Sequence, residues 1–349
     1  MKAKLKALTQ KKVFSLICLL VAMCIIFTVW SAIRDSRSAG ISFFKALGSS
    51  NFLNMRVGRN ILNSMVITSF LTIGAGALLI GGYLDLSMAA IGCFGGMVLA
   101  VSVRAWGMSW WVAIILALVL CAILGFINGL MVTKLHFPSF IATLGMASMA
   151  KGLMMLVSSF GNGNGLASNV VFTDDTLNFL GKGMVGPGKF QVQLAIILMF
   201  VFFIVYGILI SKTGFGAKIT LLGGGPVAAT LAGIKADALI TVLFVNGAVL
   251  SGVAGIFTSA RLMQGTVNAL TTSQFTGLTA AILGGISFGG GIGGMGGAFV
   301  GLLILNTFQI GTQVVGLNPY WQNVCSGILL LIALGMDFLA MARKQKALH

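Results

Sequence analysis

Two stretches near residue 290 carry the letters of catalysis. Gly285-Ile-Ser287-Phe-Gly289 fits G-x-S-x-G, the turn that lifts a nucleophilic serine out of a strand-to-helix elbow. Gly291-Ile-Gly293-Gly-Met-Gly296 fits G-x-G-x-x-G, the fingerprint of a dinucleotide turn. Neither has the company its chemistry needs. A serine nucleophile wants a base, and the two histidines, His136 and His349, fall at a span end and at the chain terminus. The next acid after Gly296 is Asp337, far beyond the roughly 20 residues at which a ribose-binding acid stands. The third glycine run, Gly223-Gly224-Gly225-Pro226, lacks the lysine and hydroxyl residue that hold phosphate and magnesium after a phosphate loop. Metal ligands are scarce as well: there is no Glu, there are six Asp, and Cys18, Cys24, Cys93, Cys121 and Cys325 all sit in apolar runs without a C-x-x-C. The expectation is a chain that is not an enzyme, with no catalytic residue, metal or cofactor and no ATPase motif of its own.

What must position any working residue here is lipid. Hydrophobic residues make up 58% of the chain and charged residues 8%, and the mean hydropathy is +1.04. A helix needs about 20 apolar residues to cross the hydrocarbon core. About ten such runs stand at 13–33, 60–82, 86–103, 109–133, 138–158, 191–211, 237–260, 275–290, 293–315 and 321–341. The eighth is short enough to require cover from neighbours or a broken helix. Continuous apolar runs exclude a β-barrel, whose strands alternate. The fold class expected is an all-α polytopic membrane protein. It divides into a basic cytoplasmic amino terminus (1–12), one transmembrane domain (13–341) and a cytoplasmic tail (342–349), with an external loop at 159–190 and a cytoplasmic segment at 212–236.

The net charge of +16 does not call for nucleic acid, because the basic residues flank spans beside anionic headgroups. The apolar run from Val13 is too long for a secretory signal and reads as a retained span with its basic end inside. With ten crossings both termini are cytoplasmic. Twelve basic residues then fall inside and nine outside, the basic 34–59 loop being an exception to the usual bias, and Lys151 falls within a span.

Small residues recur every four positions at Gly92/Gly96, Gly125/Gly129 and Gly293/Gly297/Gly301, which lets helices approach closely. Spans two to five and seven to ten form two four-span blocks separated by one span, the spacing of an inverted repeat. A neutral polyol moving through such a bundle needs scattered amides and hydroxyls, for which Asn63, Asn128, Thr143, Asn246, Asn306 and Gln309 are the candidates; each could equally bond a neighbouring helix.

"KITLLGGGPVAATLAGI", residues 218–234, breaks the apolar rhythm with a Pro at a helix start followed by small and apolar residues. A polar linker would look different, and a short helix docked on a partner fits better. This stretch, with "GGYLDLSMAAIGCFGGM", "FPSFIATLGMASMAKGL" and "TAAILGGISFGGGIGGMGGAFVGLLIL", resembles the permeases of bacterial ribose-type ABC sugar importers over roughly residues 50–340. The resemblance implies a type II importer-like permease in the bacterial inner membrane that dimerises with a second permease copy, identical or paired. It implies cytoplasmic ABC ATPase subunits and an extracytoplasmic solute-binding protein as partners, for which Asp174 and Asp175 in the 159–190 loop offer a face. The ATPase-coupling residues it implies are Gly214, Phe215, Gly216, Gly223, Gly224, Pro226, Ala228, Ala229, Leu231, Gly233 and Ile234, with Ala228, Ala229 and Leu231 seated in an ATPase cleft. The chain departs from the family at Met88-Ala89-Ala90 after Leu84-Asp85-Leu86-Ser87, and at Thr230 where an arginine is usual. Relatives carry ribose, other pentoses and hexoses, autoinducer-2 and nucleosides, so the solute stays open. An ion-coupled carrier or a channel is the other class, with Lys151, Asp85 and Asp337 as its ionisable candidates.

Overall fold

The computed structural model describes residues 2–40, 42–48, 52, 54–162, 165–187, 191–318 and scattered positions from 320 to 335. Thirteen helices are described in order: α1 (Lys2–Ala39), α2 (Phe43–Gly48), α3 (Met55–Ile80), α4 (Met88–Arg104), α5 (Trp110–Thr133), α6 (Ser139–Asn162), α7 (Asp175–Lys182), α8 (Leu194–Lys212), α9 (Gly214–Gly224), α10 (Pro226–Leu231), α11 (Ala236–Leu262), α12 (Thr271–Leu283) and α13 (Met295–Val314). Seven of them, α1, α3, α5, α6, α8, α11 and α13, are long and apolar enough to cross a membrane, and α4 is a shorter apolar helix. The chain is an all-α polytopic membrane protein.

Four two-residue strands, β1 (Val170–Val171), β2 (Met184–Val185), β3 (Val192–Gln193) and β4 (Gln264–Gly265), form two antiparallel pairs, β1 with β4 and β2 with β3. They tie the 159–190 segment to the start of α8 and the end of α11. That segment is more ordered than its Gly and Asn content suggests, because Asp174 caps α7 by accepting from the Leu177 amide at 2.8 Å.

α11 is the centre of the bundle, packed by α3, α4 and α5. Glycine makes the approach possible. A Cβ at Gly92 would stand 2.7 Å from the Ser251 carbonyl, one at Gly96 2.8 Å from that of Gly255, and one at Gly125 2.7 Å from that of Phe244. Gly297 and Gly301 likewise lie against the Gly284 and Ala280 carbonyls, holding α13 on α12. Gly293 does not join that stripe, since it precedes α13 and turns the chain with φ +136°. Phe70, fully buried, stacks on Phe257 at 5.3 Å and meets Phe202 edge-on at 5.1 Å, so that α3, α8 and α11 share one aromatic contact.

Two expected spans change most. α1 runs back through the basic terminus to Lys2, so the first helix is far longer than 13–33. The eighth span is the broken helix that its length allowed: α12 starts at Thr271 and stops at Leu283, leaving 284–294 non-helical before α13. Described positions from 320 to 335 are helical, and the rest of the expected span 321–341 lies outside the described residues, as do the 342–349 tail and Asp337.

Candidate functional site

Two helices begin inside the bundle after a non-helical stretch. α3 ends at Gly81 and Gly82, the latter with φ +84°, and residues 83–87 run on without helix to α4. Asp85 fixes that stretch: its Oδ1 accepts from the Ser87 amide at 2.7 Å and from the Ser87 hydroxyl at 2.5 Å. Asn128 of α5 donates to the same hydroxyl at 2.9 Å, and Thr143 of α6 accepts from the Leu86 amide at 3.1 Å. In the second half, α11 ends at Met263 in the left-handed region, and 264–270 run through β4 to α12. Each block thus has a long helix, a non-helical stretch and a short helix. Non-helical backbone at membrane depth survives only when enclosed by protein or lining a cavity.

The two breaks meet. Gln274, one turn into α12, donates to the Leu86 carbonyl at 2.5 Å and accepts from the Ala89 amide at 3.1 Å, satisfying backbone groups that the α3–α4 break exposes. Beside this bridge lies a cavity of about 290 Å³ walled by the starts of α4 and α12 and by the middle of α6. Its polar lining is Ser148, Lys151, Asn268, Thr271 and Gln274, and its apolar lining includes Leu86, Cys93, Leu144, Met154 and Phe275. A cavity of that size at the junction of two broken helices suits a small hydroxylated solute.

None of the six amides and hydroxyls singled out from sequence lines this cavity. Asn128 and Thr143 stand behind its wall, holding Ser87 and Leu86. Asn63, on α3, borders a separate space of about 10 Å³, and its carbonyl accepts from Arg261 at 3.1 Å. Asn246 accepts from the Tyr206 hydroxyl, Asn306 is fully buried and donates to the Leu302 carbonyl at 2.9 Å, and Gln309 is exposed on α13. Ser148, Thr271 and Gln274 were overlooked. The usable signal was the short eighth span, whose break directs attention to its ends.

The cytoplasmic segment of the sequence reading is two helices. Thr213 caps α9 through the Gly216 amide, Gly216 is buried beneath the end of α8, and Phe215 is half-buried. Pro226 opens α10 at its first position. Gly214, Gly224, Pro226, Ala228 and Gly233 are exposed, and Ile234 is half-buried. Ala229 is fully buried in this chain, whereas Val227 and Leu231 are 74% and 85% exposed. The apolar side chains of α10 free to meet a partner are therefore Pro226, Val227, Ala228 and Leu231, the largest being Val227 and Leu231, with Ala229 holding the helix to its own bundle.

The catalytic-looking glycines have a mechanical explanation. Gly290 and Gly291, with φ +81° and +70°, bring the 284–294 turn onto Gly223 at the end of α9 and onto the end of α3. The Gly291 amide donates to the Ile80 carbonyl at 2.8 Å, and a Cβ on Gly290 would meet the Gly223 carbonyl at 2.7 Å and the Gly82 Cα at 2.8 Å. Ser287 is buried in this turn, and His136 lies in the connection after α5. α12 thus spans from a main-chain junction with α9 at one end to the cavity at the other.

Comparison with known proteins agrees with this architecture. The chain is 30% identical over 279 residues to the ribose import permease protein RbsC of Bacillus subtilis, covering 80% of this chain and 83% of that one. It is 29% identical over 298 residues to the L-arabinose transport system permease protein AraH of Escherichia coli, covering 85% of each. It is 29% identical over 231 residues to the galactose/methyl galactoside import permease protein MglC of the same species, covering 65% of this chain and 68% of that one. The family described as branched-chain amino acid transport system / permease component matches residues 59–334, which include both broken helices, the cavity and the α9–α10 segment, and the chain belongs to that family, on its ribose-type branch.

Proposed function

We propose that this chain is the membrane-spanning permease subunit of an ATP-driven importer of a monosaccharide, ribose being the first solute to test. The observation that carries the reading is the continuous route from α10 through the Gly223–Gly291 junction and along α12 to the cavity. Sugar-import relatives named for ribose, arabinose and galactose support the solute class. Cytoplasmic ATPase subunits dock on Val227 and Leu231 of α10, and their closure pushes α9 against the 284–294 turn. Tilting α12 shifts Gln274 and with it the start of α4, which alters the cavity that the solute occupies. A solute-binding protein delivers from the side of α7, and both termini are cytoplasmic.

The cavity opens sideways past α6, so a second permease copy, identical or paired, closes it and the path runs between the two. The exposed face of α6 supports this, for it carries Gly145, Ser148, Lys151 and Gly152 at helical spacing, a poor surface for lipid chains. Reconstitution with the ATPase subunits and binding protein, followed by uptake of labelled ribose, arabinose and galactose, tests the proposal. ATP-dependent accumulation of one of them is expected. Uptake that ignores ATP but follows an ion gradient would instead establish the ion-coupled carrier, for which Lys151 and the buried Asp85 are the supporting groups.

A further inference from the structure

Lys151 is the thirteenth of the 24 residues of α6, about 18 Å along the axis from Ser139 at 1.5 Å per residue. Its ammonium therefore belongs near the centre of the bilayer, where a cation is costly and calls for a function. It lines the cavity and has no ion pair among the described residues. No Asp or Glu joins it in the lining. Asp85, outside the lining and 5% exposed, directs its Oδ1 at Ser87, while its Oδ2 is buried without a hydrogen-bond partner among the described residues.

Two further positive sources face the same space. α4, of 17 residues, and α12, of 13, both start at its wall, and neither capping residue, Ser87 or Leu270, supplies a side-chain oxygen to the first amides. The positive ends of both helix dipoles are therefore directed inward, their field reduced at α4 by the Gln274 oxygen on Ala89 and by the Asp85 carboxyl on the Ser87 amide. Ammonium and dipoles add, and no carboxylate in the lining offsets them.

We propose that Lys151 makes the solute path a barrier to cations, protons and sodium above all, so that a neutral polyol crosses without dissipating the ion gradients. The inference rests on the reading that this cavity belongs to the path. A sugar loses little in an electropositive constriction, because its hydroxyl oxygens accept from the lysine and from backbone amides. A hydronium or sodium ion must approach a fixed ammonium with no carboxylate in the lining beside it, and fixed cations and half-helix dipoles bar ions from other narrow pores in this way.

The test uses proteoliposomes holding the permease, alone and with its ATPase subunits, with a pH-sensitive dye inside and a valinomycin-clamped potassium gradient drawing protons in. The unmodified protein should admit protons no faster than protein-free vesicles, at rest and during ATP hydrolysis. Lys151→Glu should raise proton entry about tenfold or more by reversing the field, with Lys151→Gln intermediate and Lys151→Arg tight. Glu and Gln variants that insert at the normal level yet stay proton-tight in both states overturn the proposal. So does a Lys151→Gln protein that stays tight and loses neutral-sugar uptake, since that marks a lysine that holds the solute. Failure of the sugar-import reading shows separately, as absence of ATP-dependent sugar uptake by the unmodified complex whatever the leak.

Discussion

α5 and α6 are consecutive helices of 24 residues, and in each only 28% of the most apolar window is buried within the chain, yet their outer faces differ. α5 has mean hydropathy 2.8 and exposes Trp111, Ile115, Val119, Ile123, Phe126 and Leu130, a surface for lipid. α6 has mean hydropathy 1.6 and exposes Gly145, Ser148, Lys151 and Gly152 among its apolar residues, with nothing near the open Cα positions of the two glycines. Equal exposure in one chain therefore has two meanings. Long apolar exposed side chains suit the bilayer, and small or charged ones beside a cavity suit the second permease surface and the solute proposed above.

That contrast is broken most directly by adding bulk to each face. Ser148→Trp puts an indole into a cavity of about 290 Å³ and should cut solute uptake by about tenfold or more. Val119→Trp, on the lipid face of α5, should leave uptake within about twofold of the unmodified protein. Equal losses in labelled-sugar uptake would show that the two faces are alike.

α10 extends the comparison to the proposed ATPase face. Leu231→Glu charges an 85% exposed apolar side chain that the proposed ATPase covers, and it should lower solute-stimulated ATP hydrolysis by about fivefold to tenfold with normal insertion. Ala229→Glu, at a fully buried position, should instead lower the amount of folded protein and its melting temperature. A Leu231→Glu complex that hydrolyses and transports at the unmodified rate removes α10 from the coupling route.

Gln274→Leu sharpens the account of the cavity wall, because the variant keeps the volume and deletes both bonds to the α3–α4 break. Leaving the Leu86 carbonyl and Ala89 amide unpaired should cost about 1–3 kcal/mol, read as a lowered unfolding midpoint in detergent. An unchanged midpoint would mean the bridge carries no load. The smallest effect belongs to Lys134→Ala, which removes the ion pair from Lys134 to Asp237 at 3.1 Å, with both side chains more than half exposed. Solvent screening leaves such a pair worth about 0.5 kcal/mol or less, so neither unfolding nor uptake should move measurably.

Helix positions were largely legible because hydropathy reports how much apolar length a span has, and α5, α8 and α13 fall within a few residues of the expected runs. Which face of a span meets what is a property of neighbours, and that is why Asn128 and Thr143 were candidates for lining when they stand behind the cavity wall, on Ser87 and Leu86. Asn306 was chosen for its polarity, but its amide is absorbed by its own helix through the Leu302 carbonyl. Lys151 was visible as a lysine inside a span, and only the arrangement of α4 and α12 around it shows that it borders a cavity. Gln274 could not be separated from other glutamines, because its two partners lie 185 and 188 residues away in sequence. The glycine motifs near 290 misled as letters and were informative as geometry, since what they admit is other backbone in place of phosphate.

The junction of Gly82, Gly223 and Gly290–Gly291 has an asymmetry built into it. Main chain seated on main chain at contact distance is nearly incompressible, so a thrust from α9 passes into the 284–294 turn with little lost. Tension has far less to travel through: the described link across the seam is the hydrogen bond from Gly291 to the Ile80 carbonyl, which joins the turn to α3 and leaves α9 unattached to it. Under the proposed coupling the joint would act as a push-rod, driving α12 in one direction and leaving its return to the elastic recoil of the surrounding helices.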